Sequence, residues 1–321
     1  MSAPEPTGGV LCVTLNAALD LTYRAASVRP GEVNRVEHVH AHAGGKGVNV
    51  ARLLTSWGRP ATVLGFAGGT VGEGIGASLD EAGIRHRLVP CAGDSRRTVT
   101  VVSTDDGGST GFYEQGPDLS VDEWDALRHA FEAMLGSARV VVLAGSLPPG
   151  VPDDAYRQLT AAARAQGLPV IVDAHGKQLL HALDVGPSVV TPNEAELADA
   201  LGLDLPVPLD AAVGATRRLL TGGAERAVAT LGERGLIGVE AGRAWAVTPP
   251  RVHGNPAGAG DAVVAVLADG ELTGGLTDDS WPALLHRAAA TAAAAVRAPV
   301  AGAVDDRDLA ELWDHVEVRE L

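Results

Sequence analysis

The feature that most constrains the fold is a repeated alternation: short, continuously apolar runs give way to longer segments with helical spacing along most of the chain. The runs "VLCVTL", "ATVLGFAG", "VVVLAG", "PVIVDA", "SVVTP", "RAVATLG" and "LIGVEA" suit strands that are buried on both faces. Between them, "GKGVNVARLLTSWG", "VDEWDALRHAFEAMLGSA", "PDDAYRQLTAAARAQG" and "PLDAAVGATRRLLTGG" carry helical spacing, and glycine punctuates many of their ends. This alternation predicts an α/β fold of three layers, α/β/α, around a mainly parallel central sheet. No repeat of fixed period and no domain-sized linker interrupts it, so residues 1–321 read as one domain, with the Pro-rich "LDLPVPLD" a loop.

Two regions break the rhythm. Residues 20–43 and 95–115 read as extended and two-sided, without helical partners, and are expected to form a small β lid outside the main sheet. Within the second, "RRTVTVVSTDDGGSTGFYEQG" reads as a hairpin turning at Asp106-Gly107.

Twenty-five basic against 40 acidic side chains give a formal charge of -15, which repels nucleic acid and anionic membranes. Cys12 and Cys91 are too few for a disulfide framework. The N-terminal "MSAPEPTGGV" lacks the pattern of a secretory signal, and the Ala-rich "AAATAAAAV" is bounded by Arg287 and Arg297. The expectation is a soluble cytoplasmic protein without nucleic-acid or membrane partners. An anionic substrate would then depend on local cations in glycine-rich surroundings: Lys46, Arg96 and Arg97.

The chemistry concentrates in two glycine-rich turns that open into apolar helices. In "HGNPAGAGDAVVAVLADG", Gly258 and Gly260 let backbone amides approach a ligand, and a helix starting near Asp261 directs its unpaired N–H groups and positive dipole end into the same space. A carboxylate there is a poor phosphate ligand. It suits a general base that takes a proton from a hydroxyl attacking phosphorus, and it equally suits a simple N-cap worth about 1 kcal/mol. The motif alone leaves the two readings even. In "AGGKGVNVARLL", Lys46 stands among glycines with Asn49 one turn later; the spacing is not that of a Walker A loop. Lys46 can bind an anion and Asn49 a polyol, against the plain alternative of a helix start with a solvated lysine.

Taken in order, "TLNAALD", "AGGKGVNVA", "AGSLPPG", "TPNEAELA", "ATLGERG" and "NPAGAGDA" resemble the PfkB family of carbohydrate kinases, whose fold is ribokinase-like, over about residues 10–304. The opening motif, the "GGKG" form and "SLPPG" look most like the branch acting on phosphorylated ketohexoses: 1-phosphofructokinases, tagatose-6-phosphate kinases and the minor 6-phosphofructokinases. The resemblance implies an ATP-dependent, Mg2+-requiring kinase. It implies Asp261 as base, with the amides around Gly258, Ala259 and Gly260 as the anion hole. Asp20, Gly44, Gly45 and Asn49 match sugar-contacting positions, and Lys46 and Arg97 are candidates for the phosphate already on the substrate. Asn193 and Glu196 match the N-x-x-E pair that organises Mg2+ through water, while Thr230, Gly232 and Gly235 fall where the nucleotide is held. Fructose 1-phosphate is the favoured substrate, then tagatose 6-phosphate and fructose 6-phosphate; a kinase of an unphosphorylated sugar or nucleoside, or a non-catalytic sugar-phosphate-binding protein, is the alternative. The family's habit of pairing lids implies a homodimer.

Departures from the pattern are "NAA" at residues 16–18, where a proline is usual and its loss is expected to loosen a turn, and Thr191 where a lysine is frequent. Two decoys are set aside. "GEGIGA" at 72–77 mimics a dinucleotide fingerprint but reads as a loop and helix start at the sheet edge, and "HVHAH" puts His38, His40 and His42 on one face of a strand without a completing carboxylate or cysteine for zinc. The closing "DDRDLAELWDHVEVREL" reads as a surface helix.

Overall fold

The structure is a computed structural model that describes residues 8–36, 38–103, 105, 108–274, 276–277, 280–298 and 300–321. In chain order its elements are β1 (Gly9–Thr14), β2 (Ala18–Ala25), β3 (His38–Gly44), α1 (Lys46–Ser56), β4 (Ala61–Ala67), α2 (Gly69–Glu81), β5 (Arg85–Pro90), β6 (Arg96–Ser103), β7 (Ser109–Tyr113), α3 (Val121–Leu135), β8 (Ala138–Ala144) and α4 (Ala155–Ala165). There follow β9 (Val170–Asp173), α5 (Gly176–Leu183), β10 (Val189–Val190), α6 (Glu194–Leu201), α7 (Leu209–Thr221), β11 (Arg226–Thr230), β12 (Leu236–Glu240), β13 (Arg243–Thr248), α8 (Ala259–Thr273), α9 (Trp281–Arg297), α10 (Asp306–Trp313) and β14 (Glu317–Glu320).

Ten strands form one sheet in the order β14-β13-β12-β11-β10-β9-β8-β1-β4-β5. From β5 to β11 every pairing is parallel; β12, β13 and β14 add antiparallel strands at one edge. Alternation along β1 shows why both faces need helices. Val10 and Cys12 join a core shared with α1, α2, α8 and α9, whereas Leu11 and Val13 join one shared with α3, α4, α5 and α7. The chain leaves β1 for β4 and β5 on one side and returns to β8 on the other, so connections diverge at the β1/β8 boundary, where open α/β sheets leave a crevice at the strands' carboxyl ends.

The two irregular regions meet in a second sheet of order β3-β2-β6-β7. The hairpin is β6 against β7; its expected turn at Asp106-Gly107 lies outside the described residues. Cross-strand register sorts this sheet into two faces. His42, Asp20, Thr98 and Tyr113 stand side by side on one, as do His40, Thr22 and Thr100; Ala41, Leu21, Val99 and Phe112 align on the other. The polar face borders the cleft described below.

Two expectations need correcting. "GEGIGA" is neither a loop nor a helix start but the interior of α2, where a Cβ on Gly72 would meet Ala67 backbone at 2.8 Å and one on Gly74 would touch Leu19 of the lid at 3.8 Å. Those glycines bring the helix close to β4 and the lid. The closing segment is helical only through Trp313, after which Glu317–Glu320 pairs with β13, because the open sheet edge offers backbone partners.

A buried carboxylate fastens the helical layer at a distance from the crevice. Asp269 of α8, 1% exposed, receives Arg59 Nε at 2.6 Å and Arg287 Nη1 of α9 at 2.6 Å, and Arg287 lies 5.1 Å from the Trp57 ring centroid. Asp269→Ala removes the carboxylate shared by two guanidinium groups that keep part of their surface in solvent; urea titration is expected to show a loss of about 1–3 kcal/mol.

Candidate active site

The carboxyl ends of β9, β10 and β11, the N-termini of α1, α6 and α8 and the polar face of the lid enclose a cleft of about 700 Å³. At its floor, Gly258 is the N-cap of α8 with φ 87°, a left-handed conformation that a side chain would strain. Its own Cβ would also press on Ala301 at 3.0 Å, whereas a Cβ on Gly260 would meet nothing within 4 Å. The turn is therefore held tightly from behind and open in front. The Ala259 amide is engaged by Pro256 O at 3.2 Å and the Ala262 amide by Gly258 O at 3.0 Å; between them the Gly260 and Asp261 amides belong to the first turn, whose donors lack helical acceptors.

Asp261 is not the cap. It is the third helical residue, no side chain caps α8, and its Oδ2 accepts a hydrogen bond from Asn49 Nδ2 at 2.8 Å. The even choice left by the motif is thus decided by geometry against the cap. Burial, reinforced by the nearby Asp173 carboxylate, pushes the Asp261 carboxyl up to about 7, against the opposing pull of the Asn49 hydrogen bond and the Lys46 ammonium. A carboxyl poised there can accept a proton near neutrality.

Lys46, the first residue of α1, has its ammonium 3.1 Å from Asp173 Oδ1 and 3.1 Å from Glu196 Oε1. Burial alone would lower its pKa; Asp173, Glu196 and Asp261 outweigh burial and hold it above the ordinary lysine value. It is therefore no free cation waiting for a substrate phosphate. Asp173, which closes β9 and is 4% exposed, is raised by burial and by Glu196 against the attraction of Lys46. Sequence reasoning passed over Asp173. A buried apolar strand ending in a carboxylate at the sheet's carboxyl edge was the available signal.

Asn193 and Glu196 form a reciprocal capping box on α6: Asn193 Oδ1 accepts from the Glu196 amide at 2.9 Å, and Glu196 Oε2 from the Asn193 amide at 2.8 Å. Only Glu196 Oε1 is left to turn toward Lys46. Among the described residues no three or more His, Cys, Asp or Glu side chains form a ready metal cage. Asp173 and Glu196, two hard oxygen donors that share one cationic neighbour, are of the ligand type that could hold a divalent ion. The loop carrying Thr230, Gly232 and Gly235 borders the same end of the cleft. It is tied to α6 by Arg234, whose Nη2 lies 2.7 Å from Glu194 Oε2. Leu236, Val263, Ala289, Ala292 and Val296 line an apolar extension beside it.

At the opposite end, Asp20 lies directly over Gly44, where a Cβ would fall 1.8 Å from Asp20 Oδ2. Asp20 accepts from Thr98 Oγ1. Burial raises its carboxyl, against Thr98, His42, Arg96 and Arg52. Gly45 takes φ 109° beneath Thr14 and lines the cleft with Lys46 and Asn49. The expectation for Arg97 is not met: strand alternation turns it away, half-exposed, with Nε 3.6 Å from Glu114 Oε1. Arg96 lines the cleft instead, its Nε donating to Asn16 O at 3.0 Å. Nor is the "NAA" turn untethered, because Asn16 Nδ2 donates to Gln115 O at 3.0 Å and Ser146 Oγ at 3.1 Å.

A buried carboxyl at a helix N-terminus, a pair of carboxylates suited to a divalent ion and a polar lid are the parts of a phosphoryl-transfer site on a ribokinase-like sheet. Residues 11–307 match the pfkB family of carbohydrate kinases, and the chain belongs to that family. Among solved structures, phosphofructokinase-2 from Escherichia coli in complex with potassium is 27% identical, with a TM-score of 0.85 over 96% of this chain and 99% of that one. A possible 1-phosphofructokinase from Thermotoga maritima (24% identity, TM-score 0.86, 97% and 99% covered) and Arabidopsis thaliana ribokinase with ribose and ATP (21%, 0.70, 95% and 99%) share the fold.

The raised Asp261 carboxyl makes a prediction about stability. The folded chain keeps this proton to about 7, whereas an unfolded aspartate loses it near 3.8, so rising pH through that window favours the unfolded state. Asp261→Asn removes the effect. Denaturant titrations are expected to show no gain for the variant at about pH 4 and a gain on the order of 1–4 kcal/mol above about pH 7.

Proposed function

We propose that the chain transfers the γ-phosphoryl group of ATP to a free hydroxyl of a ketohexose phosphate, with fructose 1-phosphate favoured ahead of tagatose 6-phosphate and fructose 6-phosphate. The observation that carries this reading is Asp261: buried, raised to about 7, held by Asn49 and set beside the open first turn of α8. The sugar lies under the lid, its hydroxyls on Asp20 and Asn49 and its own phosphate toward Arg96. Asp261 takes the proton of the attacking hydroxyl. The Gly260 and Asp261 amides, together with the α8 dipole, stabilise charge on the transferring group, and the lid keeps out water as a competing acceptor. The nucleotide runs along Thr230, Gly232 and Gly235 into the apolar extension. Mg2+, held by Asp173 and Glu196 with Asn193 behind them, would neutralise charge on the nucleotide phosphates.

Lys46 bears on the choice of substrate. Because two carboxylates occupy its ammonium, recognition of a sugar's own phosphate falls mainly to Arg96, which favours as a second reading a kinase of an unphosphorylated sugar. ADP release with Mg-ATP is to be followed against fructose 1-phosphate, fructose 6-phosphate, tagatose 6-phosphate, fructose, ribose and adenosine. Turnover confined to the sugar phosphates is expected; turnover of free sugars alone would support the second reading, and none at all would end the kinase proposal.

Three variants test the roles. Asp261→Asn is expected to lose about 10²–10⁴-fold in kcat while still binding both substrates in calorimetry. In the unsubstituted protein, kcat at saturating substrate should rise with pH toward neutrality as Asp261 gives up its proton. Arg96→Ala should raise KM for the sugar phosphate by roughly 10–100-fold, whereas Arg97→Ala should leave it within about twofold.

We also propose a homodimer through the lid. The outer face carries Val39 and Phe112, each 58% exposed, in line with Tyr23, Leu21 and Val99, a patch that a second copy would cover. Light scattering giving a monomer mass would overturn it.

A further inference from the structure

One member of the polar lid face has no part in the reaction as derived so far. His42 of β3 stands beside Asp20, which in turn stands beside Thr98, so the three form a row across neighbouring strands about 5 Å apart. It lines the cleft, yet its Nε2 is closed off from solvent and has no hydrogen-bond partner among the described residues. A shielded ring nitrogen of this kind is costly unless a ligand completes it. His38 and His40, on the same face of the strand, are exposed and lie farther from the sheet's junction with α1.

The charges around His42 indicate what that ligand brings. Asp20 on β2, Arg52 on α1 and His40 on its own strand face it, and Arg96 on β6 faces Asp20. From α2, packed against β3, the Ser78 hydroxyl accepts from the Ala43 amide. With His42 neutral, Arg52 and Arg96 supply two positive charges against one on Asp20. A sugar phosphate brings close to two negative charges at neutral pH, leaving this end of the cleft one positive charge short. Protonated His42 supplies it.

Resting on the assignment of a phosphorylated sugar as substrate, we propose that His42 is a specificity-determining contact: when the sugar's phosphate enters, a turn of the ring brings Nε2 into the cleft, where it takes a proton from the buffer and donates it in a hydrogen bond to a phosphate oxygen. Free sugars bring no such charge and bind without uptake. Selection of the phosphorylated substrate is then shared between Arg96, a permanent cation, and His42, a cation only while the substrate is bound. Burial chiefly, with Arg52 and His40 adding and Asp20 opposing, holds the empty-site imidazole below the ordinary histidine value, so the site is uncharged there until the anion arrives.

The test is isothermal calorimetry of the full chain with fructose 1-phosphate and fructose 6-phosphate, repeated at about pH 7.5 in buffers of different ionisation enthalpy, whose slope gives the protons taken up. Uptake approaching one proton per site is expected. It should persist in Asp261→Asn, the other group titrating near neutrality, and vanish in His42→Gln and His42→Asn. Both His42 variants should bind the sugar phosphate about tenfold more weakly at neutral pH, with an affinity that no longer falls as pH rises. Binding by the unsubstituted protein without uptake, or uptake that survives in a folded His42 variant, overturns the proposal and leaves the substrate assignment standing. Failure of every sugar phosphate to bind overturns both.

Discussion

Asp173, Glu196 and Asp261 come from three separate elements and converge on one ammonium, that of Lys46, beside the open first turn of a helix. The rest of the site depends on how this charge is balanced. Asp173 and Asp261, both buried, cannot both remain ionised at low cost. Lys46 offsets part of that cost, yet both carboxyls keep a raised proton affinity. The arrangement thus sets a cationic neighbour beside two carboxylates and leaves Asp261 a carboxyl raised to about 7.

The fold makes the convergence possible. A parallel sheet delivers every strand's carboxyl end to one edge and starts a helix near each, so Lys46, Glu196 and Asp261 all sit in the first turns of helices that open on the same cleft. Glycines set the spacings. Gly44 leaves room for the Asp20 carboxylate, and Gly258 turns the chain into α8 by a left-handed step. The lid adds chemistry of another kind: its strands put polar side chains toward the cleft and apolar ones outward.

Much of this was legible in the chain. Runs of apolar residues too uniform for an amphipathic strand announced a sheet covered on both faces, and two glycine-rich turns marked helix starts that could receive an anion. The motifs from "TLNAALD" to "NPAGAGDA" placed Asp20, Asn49, Glu196, Thr230 and Asp261 around a single cleft. Strand alternation could also have told Arg96 from Arg97, had the register with Asp20 been fixed; one residue of slip exchanges the two faces. The strand at 317–320 was hidden because an edge strand takes its partner from a distant segment and its charged side chains carry no buried-strand signature.

By itself, then, the sequence determined the layered α/β architecture, the positions of the glycine-rich turns that open into helices and the titratable residue types placed beside them, because periodicity and glycine placement act through local backbone geometry. Tertiary structure alone decided what those residues became. Asp261 is a buried carboxyl and not a cap, and Asn49, distant in sequence, takes its carboxylate; Lys46 is a partner of carboxylates because β9 ends and α6 begins beside it; and His42 reaches the cleft because β3 pairs with β2 in a register that sets it next to Asp20. Each of these is a matter of burial and charge between remote segments, and those quantities do not exist until the chain has folded.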